Sequence, residues 1–310
     1  MKFLTQRAFR IGIVLVALLT LLFFLQRMTG DPITVLVGHS ATPEMIEEMR
    51  HDMGFDKPLA IQYAIFIRNT VSMDFGESVR FKQPALELVL WRFPATLKLS
   101  LAALAIAAFV GIPLGIYAGM NHTRFDGRAI NWLAGILQAM PSFWLGLLLL
   151  LIFSVGLRWF NSVASLEENY IKQLILPAVT LSSVYMARLI RLVRSGIIDE
   201  MTKPYVTTAR GKGLRARRVF TVHVLRNTLI PVLSLLALDL SLLIGGSVIV
   251  ETLFSYNGIG NQLVRAILNR DYPLVQATVF VIALFIIFVN TFADYLHYLV
   301  DPRLNGEIVS

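Results

Sequence analysis

Residues 95–120 read ATLKLSLAALAIAAFVGIPLGIYAGM, a stretch whose one charge is Lys98. A helix crosses a bilayer with about 20 mostly apolar residues, so this run is long enough to span. Working outward, similar runs occur at 8–26, 130–157, 171–192, 228–250 and 274–296. That predicts six membrane helices. Composition agrees: 56% of the 310 residues are hydrophobic and 15% are charged, against about 25% charged in a soluble domain. The mean hydropathy is +0.66. The first run, between Arg7 and Arg27, reads as a retained anchor, because no small-x-small cleavage site follows Phe24-Leu25-Gln26.

Several chemistries drop out at once. The chain has no cysteine, which removes disulfides, thiolate metal sites and Cys nucleophiles. The histidines at 39, 51, 122, 223 and 297 form no i,i+4 pair, so there is no helical zinc site. The net charge of +8 follows the positive-inside rule rather than nucleic acid. Sixteen of the 28 Lys and Arg residues fall on one side of a six-span chain: Lys2, Arg7 and Arg10, then Arg124 and Arg128, ten more between Arg188 and Arg226, and Arg303. On the other side, 28–93 holds nine acids against six bases. Both termini are therefore expected in the cytoplasm. The expected organisation is a cytoplasmic end and first span over 1–30, an extracytoplasmic helical segment over 31–93, a transmembrane domain over 94–298 and a cytoplasmic tail over 299–310.

Within 31–93, Thr42-Pro43-Glu44 is a helix start and Gly54 a stop. A second helix is expected over 59–73 and a third, short one from Pro84. The spans carry breakers: Pro113 among Gly111, Gly115 and Gly119, then Pro141, Pro177, Pro231 and Gly245-Gly246. These either aid close packing or line a pore. Asp239 lies mid-span between Leu238 and Leu240. A carboxylate there must face protein or water, which leaves open a place on a transport path or a bond to a neighbouring helix.

The loop 193–227 is the most informative. It contains Tyr205-Val206-Thr207-Thr208-Ala209-Arg210-Gly211-Lys212-Gly213-Leu214, followed by His223, Leu225, Arg226, Asn227 and Pro231. A short helix is expected up to Gly211 or Gly213, and Val219, Phe220, His223 and Val224 recur at helical spacing. Gly211-Lys212 is no phosphate loop, since residue 206 is Val and residue 213 is Gly. If transport is driven by ATP, the ATPase is another chain.

This loop resembles the cytoplasmic coupling segment of bacterial ABC importer permeases of the dipeptide/oligopeptide/nickel branch, with Gly211 where Ala is usual and Val222 where Arg is usual. The likeness extends along the chain. Gly245-Gly246-Ser247-Val248-Ile249-Val250-Glu251, Arg270-Asp271-Tyr272-Pro273, Gly30-Asp31-Pro32, Asp74-Phe75-Gly76, Pro94-Ala95-Thr96-Leu97, Pro141-Ser142-Phe143-Trp144 and Asp301-Pro302-Arg303 all fit that branch. Ser255-Tyr256-Asn257-Gly258-Ile259-Gly260 departs from it by lacking Trp-Pro before the glycines.

The resemblance implies an all-α polytopic protein with the type I importer permease fold, six transmembrane helices and a small helical extracytoplasmic cap, in the bacterial inner membrane. It implies a non-catalytic subunit that binds no cofactor, with ATP and Mg held by two partner ATPases. A second, homologous permease, an extracytoplasmic binding protein and membrane lipid are the other partners, and nucleic acid is not one. Coupling to the ATPase is expected of Tyr205, Thr208, Ala209, Arg210, Gly211, Lys212, Gly213 and Leu214. Asp239, Met140, Pro141, Phe143, Gly245 and Gly246 are candidates for the translocation path, and no metal ligands are expected. Relatives carry dipeptides, longer peptides, glutathione, nickel or metallophores. Peptide-like cargo is the first expectation and a metal chelate the second. The rivals are an ion-coupled secondary transporter using Asp239 and an intramembrane enzyme. Against the latter, Gly246-Ser247-Val248 is not a nucleophile site.

Overall fold

The computed structural model of the chain describes residues 12–24, 42–52, 56–161 and 170–300. The expectations for Gly30-Asp31-Pro32, for the extreme N-terminus and for the Asp301-Pro302-Arg303 tail lie outside these residues. We number the described helices α1 (Gly12–Phe24), α2 (Pro43–Asp52), α3 (Leu59–Val71), α4 (Ala85–Met120), α5 (Phe125–Ala139), α6 (Ser142–Leu149), α7 (Tyr170–Met201), α8 (Pro204–Gly211), α9 (Ala216–Arg218), α10 (Arg226–Leu253), α11 (Ile259–Leu268) and α12 (Tyr272–Val300). Two π-helical stretches, Leu150–Gly156 and Val219–Leu225, extend α6 and join α9 to α10.

Each apolar run appears as helix. Among the described residues four helices are long and apolar enough to cross a membrane: α4, α7, the continuous stretch from α9 through α10, and α12. The pair α5 and α6 makes a fifth, bent by 103°. Two expectations change here. The run 130–157 is not one straight helix but two helices meeting at a sharp break, because a residue before proline is pushed out of the helical region; Met140 sits at φ −79°, ψ 133°. The short helix expected from Pro84 is instead the first turn of α4, a helix of 36 residues. Pro177 and Pro231, by contrast, lie inside unbroken helices.

The chain packs as two units. The first contains the described residues up to Pro94 together with Gln262–Ile287. Here Phe23 of α1 packs edge-on against Tyr63 of α3, centroids 5.2 Å apart, and Thr20 and Tyr63 share a 2.6 Å hydrogen bond. Asp271, buried just before α12, is its main polar node. It accepts from Ser78 Oγ at 2.5 Å and from the N–H groups of Val79 and Arg80, and it caps α12 through the N–H of Leu274. The Asp74-Phe75-Gly76 turn is thereby tied to the Arg270-Asp271-Tyr272-Pro273 segment, and Phe75 packs on Phe280, centroids 5.3 Å apart.

The second unit contains Ala95–Asn261 and the chain from Phe288 on. Lipid tails are as apolar as leucine, so helices in a membrane associate through close contact rather than the hydrophobic effect. The sequence supplies a stripe at i,i+4 spacing on α4: Leu99, Ala103, Ala107, Gly111, Gly115 and Gly119. The first three are fully buried. The glycines lie against α7 so closely that a Cβ at Gly115 would come within 2.7 Å of Val193 Cβ, and one at Gly119 within 2.9 Å of Ile197 Cβ. Large apolar side chains such as Phe109, Trp132 and Leu238 stay exposed, as residues facing lipid do.

Candidate functional site: the coupling segment and the charged pair above it

The basic loop after α7 forms a compact hook. Lys203 ends the turn after α7 in an extended conformation, and Pro204 opens α8 at a first-turn position, where a missing N–H costs nothing. The helix is short and ends in a Schellman motif. Gly213 has φ +76°, its N–H donates to Arg210 O at 2.9 Å, and the N–H of Leu214 reaches back to Ala209 O at 3.3 Å. Leu214 closes the motif by packing on the cluster that holds Ala209.

Val206 and Ala209, three residues apart, point into the chain and pack with Val219 and Val224 of the π-helical stretch. Ala209 is only 7% exposed. Of the residues expected to couple, Tyr205, Thr208, Arg210, Gly211, Lys212 and Gly213 are exposed, and Leu214 is half-buried. A Cβ added at Gly211 would meet nothing within 4 Å, so that side of α8 is open. The hook is pinned by Tyr205, whose hydroxyl bonds the Glu200 carboxylate and accepts from Asn227 Nδ2 at 2.9 Å. His223 lies beside the Tyr205 ring, with centroids 6.4 Å apart. The two halves of the motif, distant in sequence, thus meet.

The residues expected to line the path lie on α10 and at the break between α5 and α6. Asp239 is fully buried and forms an ion pair of 2.5 Å with Arg188 of α7. The Arg188 guanidinium lies over the Tyr185 ring, 5.6 Å from its centroid. Gly246, two turns along α10 from Asp239, has Tyr185 Oη 3.3 Å from where its Cβ would sit, while Gly245 faces open space. Met140 and Pro141 form the break between α5 and α6, and Phe143 is exposed in the first turn of α6. Close by, Arg191 donates to Gln138 Oε1 at 2.9 Å.

Two residues escaped the sequence reading. Arg188 was counted with the flanking positive charges, but it lies within α7 and neutralises Asp239; no spacing rule links positions 51 apart in sequence. Glu251 ends the Gly-Gly motif and was given no role. It is fully buried and accepts from Thr96 Oγ1 at 2.7 Å, Ser247 Oγ at 3.0 Å, and the N–H groups of Gly260 at 2.7 Å and Asn261 at 3.0 Å. Thr96 Oγ1 in turn accepts from the N–H of Ile259. Gly258 is needed for this approach, since a Cβ there would fall 2.3 Å from Glu251 Oε2. Two motifs that the resemblance matched separately, and the 255–260 segment that departs from it, are therefore joined at one carboxylate.

Comparison with known proteins places this architecture. Residues 111–306 match the family described as binding-protein-dependent transport system inner membrane component, and residues 1–100 match its N-terminal companion. A putative peptide transport system permease protein of Brucella suis is 36% identical over 94% of this chain and 95% of its own length. The di/tripeptide transport system permease protein DppB of Pseudomonas aeruginosa is 35% identical, covering 93% and 94%. Among solved structures, the inward-facing MetNI methionine ABC transporter is similar in fold, with a TM-score of 0.59 at 13% identity over 69% of this chain and 96% of that one. The chain belongs to the binding-protein-dependent transport family and is a membrane-spanning, non-catalytic permease subunit of an ABC importer.

Proposed function

We propose that this permease imports peptide-like solutes across the bacterial inner membrane as one half of a pathway completed by a second, homologous permease. Two cytoplasmic ATPases, which hold ATP and Mg, drive it, and an extracytoplasmic binding protein delivers the cargo. The peptide transport permeases that match nearly the whole chain support the cargo class. The observation that carries the coupling role is α8: a rigidly capped helix, anchored by Val206 and Ala209, that keeps Tyr205, Thr208, Gly211 and Lys212 outward. Such a helix can seat in a groove of an ATPase and pass its motion to α7 and α10, between which it is strung. The basic residues around it fit a cytoplasmic position, with both termini inside and 28–93 and 251–273 outside.

The Arg188–Asp239 pair supports a packing role for Asp239, because its charge is already matched within the chain. An ion-coupled carrier would need that carboxylate free to bind its ion. The test is reconstitution with the ATPases, the second permease and the binding protein in proteoliposomes. Uptake of a labelled tripeptide that requires ATP is expected. Uptake of nickel or a nickel chelate, with none of peptide, overturns the cargo assignment, and uptake without ATP overturns the mechanism. In this Cys-free chain, a cysteine at Ser40 is expected to react with an external impermeant label and one at Ser195 to stay protected; the reverse pattern overturns the orientation.

A further inference from the structure

A cavity of about 150 Å³ opens in the first unit between the turn after α3, the start of α4, and α11. Three arginines are among the residues that line it, Arg80, Arg92 and Arg265. Gln262 also lines it; the residue is 2% exposed, and neither its Nε2 nor its Oε1 has a hydrogen-bond partner. The buried Nε of Arg92 is likewise unpaired. The one carboxylate of the wall among the described residues, Asp271, already accepts from Ser78, Val79, Arg80 and Leu274. A buried amide with both ends unsatisfied is destabilising, and the guanidinium groups of Arg80 and Arg92 favour an anion beside it. The planar fork of arginine matches a carboxylate.

The two ends of Gln262 need different partners. Nε2 needs an acceptor, which any carboxylate or phosphate provides. Oε1 needs a donor, which acetate lacks. The last residue of a peptide carries both on one Cα, a carboxylate and an amide N–H. A cavity near 150 Å³ takes a body about the size of benzene, so it admits one residue and not a whole oligopeptide. We propose that this cavity binds the C-terminal residue of a short peptide, the guanidinium groups of Arg80 and Arg92 and Gln262 Nε2 holding its carboxylate and Gln262 Oε1 accepting its N–H. The assignment rests on the reading of the chain as a peptide importer permease for the source of that peptide.

The full chain in lipid nanodiscs, titrated with dansylated trialanine and followed by fluorescence anisotropy, tests it. The free acid is expected to bind at least about tenfold more tightly than the C-terminal amide, the scale of a hydrogen bond to a charged group. Gln262→Met is expected to weaken the acid about tenfold. It should also raise the melting temperature of the empty protein, because an unsatisfied amide is gone. Gln262→Glu places a carboxylate beside the arginines, and with it the preference for acid over amide should vanish while the protein stays folded. Equal binding of acid and amide by the native chain overturns the proposal. So does a preference that survives Gln262→Glu, or competition by acetate or inorganic phosphate as strong as by the peptide, which marks a general anion site. In the reconstituted importer, Gln262→Glu variants that move acid and amide peptides like the native chain remove the site but leave peptide import standing. A native complex that imports no peptide removes the import reading, and the nanodisc titration still decides the cavity.

Discussion

Replacing Gly213 by alanine isolates the backbone contribution to the coupling proposed for α8. Gly213 sits at φ +76° with nothing within 4 Å of the position its Cβ would take. The added methyl therefore meets no neighbour, and the whole penalty is conformational, about 1–2 kcal/mol for an L-residue in the left-handed region. An isolated helix of this length is unstable in water, so α8 depends on its Schellman stop and on the seating of Val206, Ala209 and Leu214. Losing about 1–2 kcal/mol from that local equilibrium raises its open population roughly 5- to 30-fold. Hydrogen exchange read by mass spectrometry over 204–214 should show that rise, with protection elsewhere unchanged, and ATPase stimulation by loaded binding protein should fall with it. Gly211→Ala is the matched control. Its Cβ also meets open space, but the residue is helical, so alanine should stabilise α8 by about 0.5–1 kcal/mol and slow exchange. Unchanged protection with Gly213→Ala, or faster exchange with Gly211→Ala, would refute the reasoning.

Ala209→Asp should release α8 from within, since the carboxylate would be buried against Val219 and Val224 without a donor; protease accessibility of 203–214 should rise, and unaltered resistance would count against it. Asp239→Asn should leave Arg188 without its counter-ion and cost about 1–3 kcal/mol, below the value for a fully buried pair because Arg188 is partly exposed. Adding Arg188→Gln should recover part of that loss, as measured by thermal unfolding in nanodiscs, and additive losses would dissolve the pairing. Glu251→Gln should lower the unfolding midpoint by an equivalent of about 1–3 kcal/mol, because an amide presents an N–H₂ group where donors already converge; an unshifted midpoint would sink the role of Glu251 as a node.

The reach of the sequence is clearest at its prolines. Pro113, Pro141, Pro177 and Pro231 look alike as helix breakers, and only at Pro141 does the preceding residue, Met140, leave the helical region and split a span. Packing decides between these outcomes, and packing partners are not written next to the proline. The apolar runs were legible because a bilayer imposes length and composition directly. The ends of the helices were not, since α4 begins with Ala85-Leu86-Glu87 and α10 is preceded by Arg217 and Arg218, where polarity masks continued helix. In the 193–227 loop the sequence placed a helix stop at Gly211 or Gly213; the helix ends at Gly211 and Gly213 makes the left-handed turn after it. The inward turn of Ala209 could not be placed, because its partners Val219 and Val224 lie beyond an intervening glycine turn. Asp239 was conspicuous by its surroundings in sequence, whereas Arg188, at the edge of an apolar run, looked like a flank.

The bond between Ser78 and Asp271 joins positions 193 residues apart. At roughly 5–20 residues per second, the ribosome takes about 10–40 s to supply the acceptor after the donor has emerged. Throughout that interval the turn at 72–84 has no carboxylate to close on, and its Ser78 hydroxyl and the N–H groups of Val79 and Arg80 must be kept by water or by a chaperone. The turn is thus incomplete until Asp271 is made, and premature termination before it leaves the turn open to proteolysis. Biogenesis of this permease is a quality-control problem in time as well as in space: synthesis of Asp271, just before α12, is the event that certifies a segment made long before it.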